Sequence, residues 1–151
     1  MKKQAFNPYL PSWEYIPDGE PYVFGDRVYV YGSHDYFNGY VFCMGDYVCW
    51  SAPVDDLGNW RYEGVIYPKT ADPLNPEGKM CLYASDVTVG PDGRYYLYYV
   101  LDKVSVVSVA VCDTPAKTSM IAKDKKALFA INGSYSISGN PSTFTMVDKV
   151  V

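Results

Sequence analysis

Asp18-Gly-Glu-Pro-Tyr-Val-Phe-Gly-Asp-Arg-Val-Tyr-Val-Tyr-Gly-Ser-His-Asp35 is the stretch that decides how this chain folds. Two β-rich runs, Pro21–Phe24 and Val28–Tyr31, flank Gly25-Asp26-Arg27. A Gly beside an Asp between β-formers predicts a tight hairpin, because such turns need a residue that tolerates positive φ. An acidic residue, Asp18, precedes the first run, and the polar cluster Ser33-His34-Asp35 follows the second. In a radial β-fold, strand starts lie near the axis, where a side chain can meet a ligand. Asp18 is therefore the first candidate for chemistry. The competing reading is that Pro17-Asp18-Gly19 only opens a turn.

The grammar of this stretch recurs. In Asp86-Val-Thr-Val-Gly-Pro-Asp-Gly-Arg-Tyr-Tyr-Leu-Tyr-Tyr99 an Asp again leads a short β run, a Gly/Asp turn with Arg follows, and a Tyr-rich strand closes the unit. A third turn, Met44-Gly45-Asp46, precedes Tyr47–Trp50. Repeated antiparallel units of this kind predict an all-β fold of propeller blades. The expected strands are 21–24, 27–33, 40–44, 47–52, 59–67, 82–89, 94–101 and 104–112. The last, Val104–Val111, is rich in β-branched residues and poor in charge, as an inner strand should be. The first 17 residues read as an extended lead-in packed on the domain. Residues 68–80, with Pro68, Pro73, Pro76 and Gly78, read as a surface loop between blades. Asp55-Asp56 reads as a solvated turn.

Length and composition set bounds. The chain has 151 residues, enough for one domain, and is 48% hydrophobic. Its 16 tyrosines suit β-sheet faces, and tyrosine is also common on carbohydrate-facing surfaces. A net charge of −4 without a basic stripe argues against nucleic acid. No apolar run reaches the length of a membrane span, and none follows Met1-Lys2-Lys3-Gln4 to make a secretory leader, so a cytoplasmic chain is expected. Cys43, Cys49, Cys81 and Cys112 form no paired motif and sit in apolar runs, which predicts buried thiols rather than a metal site or a disulfide framework. The single histidine, His34, is poor material for a zinc site or a Ser-His-Asp triad. No cofactor or metal is expected.

The character of the chain changes after Ala116. Lys117, Lys123, Lys125 and Lys126 precede Ala127–Ile131, and Asn132-Gly133 suits a turn between Leu128–Ile131 and Ser134–Ile137. Residues 1–116 are thus expected to carry the blades, and 117–151 a divergent tail with a hairpin. Asn132-Gly133-Ser134 matches the N-glycosylation pattern, a triplet frequent by chance.

Several segments together resemble the start of glycoside hydrolase family 43. They are Asn7-Pro8-Tyr9-Leu10-Pro11, Asp18, the Gly25–Tyr29 hairpin, Gly32-Ser33-His34-Asp35, Trp50–Pro53, Trp60–Gly64 and Leu82-Tyr-Ala-Ser-Asp86 with the tyrosine-rich strand beyond it. Ser85 stands where the family usually has Pro. The resemblance ends near Cys112–Ala116. It implies a five-bladed β-propeller, of which about two blades are present here, acting on arabinose- and xylose-containing oligosaccharides. The implied chemistry is inversion, with one carboxylate activating water and a second carboxylic acid protonating the leaving oxygen. By position Asp18 matches the general base. Asp86 matches a second-blade residue that shapes the pocket or supports the blade. His34 and Asp35 match a polar corner near the sugar, with support of the strand end as the alternative for both.

The resemblance also has gaps. The family's third-blade Asp and its later general-acid Glu have no counterpart. The four glutamates, Glu14, Glu20, Glu63 and Glu77, all precede the second unit. The expectation is a truncated product, a frameshifted tail or one part of a split protein, inactive alone. The alternatives are a non-catalytic carbohydrate-binding module and a structural fragment that assembles with a partner chain. Two blades leave open sheet edges, so either self-association or compensating packing by residues 117–151 is expected.

Overall fold

The turns act as the sequence predicts. In the computed structural model, which describes residues 6–104 and 107–116, β1 (Glu20–Phe24) and β2 (Arg27–Gly32) form a hairpin with Phe24 opposite Arg27. Gly25 takes a φ of 63°, the positive-φ first position that a two-residue II′ turn demands. β3 (Tyr47–Pro53) and β4 (Arg61–Tyr67) complete an antiparallel sheet of order β1-β2-β3-β4. The second sheet has order β5-β6-β7, from β5 (Leu82–Val89), β6 (Tyr95–Leu101) and β7 (Val107–Cys112). Its first hairpin closes through Gly90-Pro-Asp-Gly-Arg94. There Gly93 N–H donates to Gly90 O and Gly93 holds a φ of 78°. The only helical element among the described residues is one 3₁₀ turn, Lys69–Ala71. The all-β, blade-like architecture is as expected.

The two sheets share one core. Tyr31, Cys49, Ile66 and Tyr67 of the first meet Val87, Leu97, Tyr99 and Leu101 of the second. Burying a side chain of this size contributes about 1.5–3 kcal/mol. Tyrosine hydroxyls then fasten one sheet to the other, so that each ring buries apolar area while its polar tip finds an acceptor or donor. Tyr47 Oη donates to Tyr83 O, Tyr31 Oη donates to Pro115 O at 2.6 Å, and the Tyr67 and Tyr99 hydroxyls meet at 2.6 Å. Tyr99 also donates to the buried Asp72 carboxylate, whose other oxygen accepts Leu74 N–H at 2.7 Å. Burial raises the Tyr99 phenol well above its ordinary value, and its bonds to Asp72 and Tyr67 add to the shift.

Three expectations need correction. Residues 40–44 form no strand; Gly39 N–H closes a turn on Tyr36 O, and the aromatic residues that follow face solvent. The 68–80 segment is more than a surface loop, because Asp72 and Asn75 are buried in it. Asn75 exchanges hydrogen bonds with the Met80 backbone in both directions at 3.0 Å. Among the described residues β7 lies third in its sheet, with β6 as its partner. Asp86 does not precede its strand but sits inside β5, opposite Tyr98. The thiols behave as expected: all four cysteines are unpaired, with Cys43, Cys49 and Cys112 buried. The expected hairpin within 117–151 lies outside the described residues.

Candidate functional site

One end of the molecule collects the candidate residues. Glu20 at the start of β1 pairs with Tyr31 near the end of β2, so Asp18 and Ser33-His34-Asp35 emerge at the same end of the first sheet. The start of β5 reaches that end too, because Tyr47, at the start of β3, bonds Tyr83, and Phe42 packs its ring on Tyr83 at 5.4 Å. This end is called the mouth below.

Asp18 is exposed at the mouth, two residues ahead of β1, with a φ of 57°. The neighbouring Gly19 is tightly enclosed: a Cβ there would lie 3.1 Å from Val30 and 3.2 Å from Ile16. The turn is thereby pressed onto the hairpin, which fixes where the Asp18 side chain leaves the backbone.

His34 and Asp35 both carry structural bonds. His34 Nε2 lies 2.8 Å from Glu14 Oε1. Gly45 N–H donates to His34 O at 2.8 Å, and a Cβ at Gly45 would come within 2.8 Å of His34 Cβ and O. Asp35 N–H donates to Tyr15 O at 3.0 Å, and its carboxylate accepts Cys43 N–H. Burial raises the Cys43 thiol, a hydrogen bond with Ser33 opposes that rise, and the Asp35 and Asp18 carboxylates add to it.

Asp86 lies farther along the wall and is exposed. It is the fifth residue of β5, and its Oδ1 accepts the hydroxyl of Tyr22 on β1. The pair joins the edge strands of the two sheets. Its main effect is on Tyr22: the hydrogen bond to Asp86 is the largest cause that pushes the phenol up to about 12, with desolvation second. Because the folded value exceeds the ordinary 10.0, this bond's contribution to stability is whole below pH 10 and is lost as pH rises through about 12. At pH 10.5 the ¹³Cζ resonance of Tyr22 should report a protonated ring in the wild type and a largely ionised one in Asp86→Asn.

The residue that the sequence reading missed is Glu14. Its side chain is 1% exposed and takes three donors: Trp50 Nε1 at 2.7 Å, His34 Nε2 at 2.8 Å and Tyr15 N–H at 3.0 Å. It ties the lead-in to the first sheet beneath the mouth. Ring contacts of Trp13 on Trp50 and Tyr9 on Trp60 hold the rest of the lead-in down. The available signal was a lone carboxylate bracketed by Trp13, Tyr15 and Ile16. A charge in so apolar a run must be solvated or paired. Among the described residues, no cluster of three or more His, Cys, Asp or Glu is arranged to hold a metal ion. No described helix is long and apolar enough to cross a membrane.

Known proteins resemble this arrangement. The chain is 83% identical over 116 residues to a xylosidase/arabinosidase of Thermoclostridium stercorarium, a match covering 77% of this chain and 24% of the relative. A xylosidase/arabinosidase of Bacteroides ovatus is 32% identical over 119 residues, covering 71% of this chain and 35% of the relative. Among solved structures, the RS223 β-xylosidase aligns at a TM-score of 0.58 and 27% identity, covering 70% of this chain and 34% of that one. CoXyl43, a GH43 β-xylosidase/α-arabinofuranosidase from a compost metagenome solved with xylotriose, aligns at 0.56 and 29% identity, covering 70% and 33%. The chain therefore spans between a quarter and about a third of the length of these relatives. No family profile matches it.

Proposed function

Because this chain belongs to glycoside hydrolase family 43, we propose that it builds the Asp18-bearing wall of an inverting glycosidase for xylose- and arabinose-containing glycans. The observation that carries this reading is the 83% identity over 116 residues to a xylosidase/arabinosidase.

In this reading Asp18 is the general base. An inverting enzyme needs that carboxylate on one side of the sugar, about 6.5–9.5 Å from the acid on the other, leaving room for a water. Asp18 suits the role by its exposure at a strand start and by the enclosed turn that fixes its backbone. Asp86 shapes the wall below it by fixing Tyr22. His34 and Asp35 hold the corner through Glu14 and Cys43, and either can also meet the sugar at its edge.

The test is a graft. Residues 1–116 of this chain are joined to the continuation of the Thermoclostridium stercorarium relative and assayed on aryl β-xyloside, aryl α-arabinofuranoside and aryl β-galactoside. Pentoside hydrolysis well above galactoside hydrolysis is expected. A folded graft that cleaves galactoside best, or cleaves none of the three, would overturn the reading.

A further inference from the structure

The segment between β2 and β3 carries an unusual surface. Tyr36, Phe37, Tyr40 and Phe42 all face solvent within seven residues, with Phe37 80%, Tyr40 89% and Phe42 58% exposed. Single exposed aromatics are ordinary, but a contiguous group marks a binding surface.

The backbone supplies a second, independent observation. Asp18, Asn38 and Cys43 are three of the four non-glycine residues with positive φ among those described, and all three lie at the mouth. Asn and Asp tolerate this conformation. A Cys does not, and holding it there costs roughly 1–2 kcal/mol. The Asp35 carboxylate, accepting Cys43 N–H, pins that strained end of the loop. Strain gathered in one place is characteristic of ligand clamps, where it pre-positions the groups that bind.

Two of the rings, those of Phe37 and Phe42, are also held in place. Phe37 stacks on Tyr15 at 6.4 Å with 29° between planes, and Phe42 rests on Tyr83. The exposed faces therefore stand ready before any ligand arrives, which lowers the entropy cost of binding.

We infer that the Tyr36–Phe42 loop is a stacking platform for the sugar units of an oligosaccharide that lie beyond the unit at Asp18. This inference rests on the glycosidase reading of that site. The chemistry of the loop selects the occupant. A sugar ring offers apolar C–H faces and hydroxyl edges. The loop offers aromatic faces interleaved with Asn38 and tyrosine hydroxyls, and its far end is held by the Asp35 carboxylate, at the same end of the sheet as Asp18. A protein partner fits less well, since the core of a protein interface is depleted in acidic residues. The Asp18 and Asp35 carboxylates at this end also disfavour uronic-acid glycans and favour neutral ones.

The experiment titrates the full 151-residue chain with xylose and with xylotriose, following binding by saturation-transfer NMR and calorimetry. Xylose probes the Asp18 site, and the gain from xylose to xylotriose probes the platform. The wild type should bind xylotriose more tightly than xylose. In Phe37→Ala/Tyr40→Ala the gain should vanish while xylose binding is unchanged, a loss on the order of tenfold for two stacked rings. Both rings are exposed, so the core is not disturbed by their removal. A gain that survives in the double variant would overturn the platform and leave the site reading intact. Failure of both sugars to bind would likewise overturn the platform, while the site reading is judged by the graft. A wild-type dimer in sedimentation velocity that becomes monomeric in the double variant would assign the patch to a second copy instead.

Discussion

The purified 151-residue chain should release nitrophenol from aryl xylosides and arabinofuranosides no faster than buffer does. Inversion requires a carboxylic acid facing Asp18 across the sugar, and the glutamates described in the structure do not take that place. Glu14 is buried beneath three donors, Glu63 is held by Ser51 and Arg61, and Glu77 pairs with Lys79. Glu20 shares β1 with the Asp18 turn, and Asp86 lies on the adjacent strand, so both stand on the same wall as the base. Loss of general-acid assistance alone lowers the rate by about 10²–10⁴. Activity above background that vanishes in Asp18→Asn would contradict this and would require another residue, or another copy, to supply the acid.

The second large effect concerns Glu14. Its replacement by Ala should destabilise the chain by about 3 kcal/mol, because it leaves Trp50 Nε1 and the half-buried His34 without their acceptor and frees the lead-in from the sheet. For a domain of this size that is a fall of roughly 10 °C in Tm. Glu14→Gln should fall between the two, since one amide oxygen can serve only part of the donor set. Thermal unfolding followed by circular dichroism and by Trp fluorescence checks both. A Tm within a degree of wild type in Glu14→Ala would show that the clamp contributes nothing.

Where local chemistry decides the conformation, the sequence was readable. Gly25 and Gly93 adopt the positive φ their turns require, and the strands around them pair in the expected hairpins. Where tertiary contacts decide, it was not. Tyr40–Met44 has the β-formers of a strand, yet the Gly39 turn and the left-handed Asn38 and Cys43 turn it into an exposed loop. Asp72 sits in a proline-rich stretch that looks like solvated surface, and only the arrival of Tyr99 from the other sheet explains its burial. The position of Asp86 differs from the expected one for a related reason. The repeat suggested a strand start, but β5 begins at Leu82 and is irregular between Leu82 and Ser85, a feature that depends on its partner β6. The mouth was half legible. Asp18, His34 and Asp35 stand out as polar residues at strand ends, while Glu14 and the aromatic loop that complete it emerge only from the fold.

The most direct test of the account is the rate of pentoside hydrolysis by the graft and by its Asp18→Asn form, both confirmed to be folded. If Asp18 is the base that activates water, the substitution should lower kcat by about 10²–10⁴ while KM stays within a few fold. Equal kcat in the two proteins would contradict the central claim and return Asp18 to the role of a turn residue.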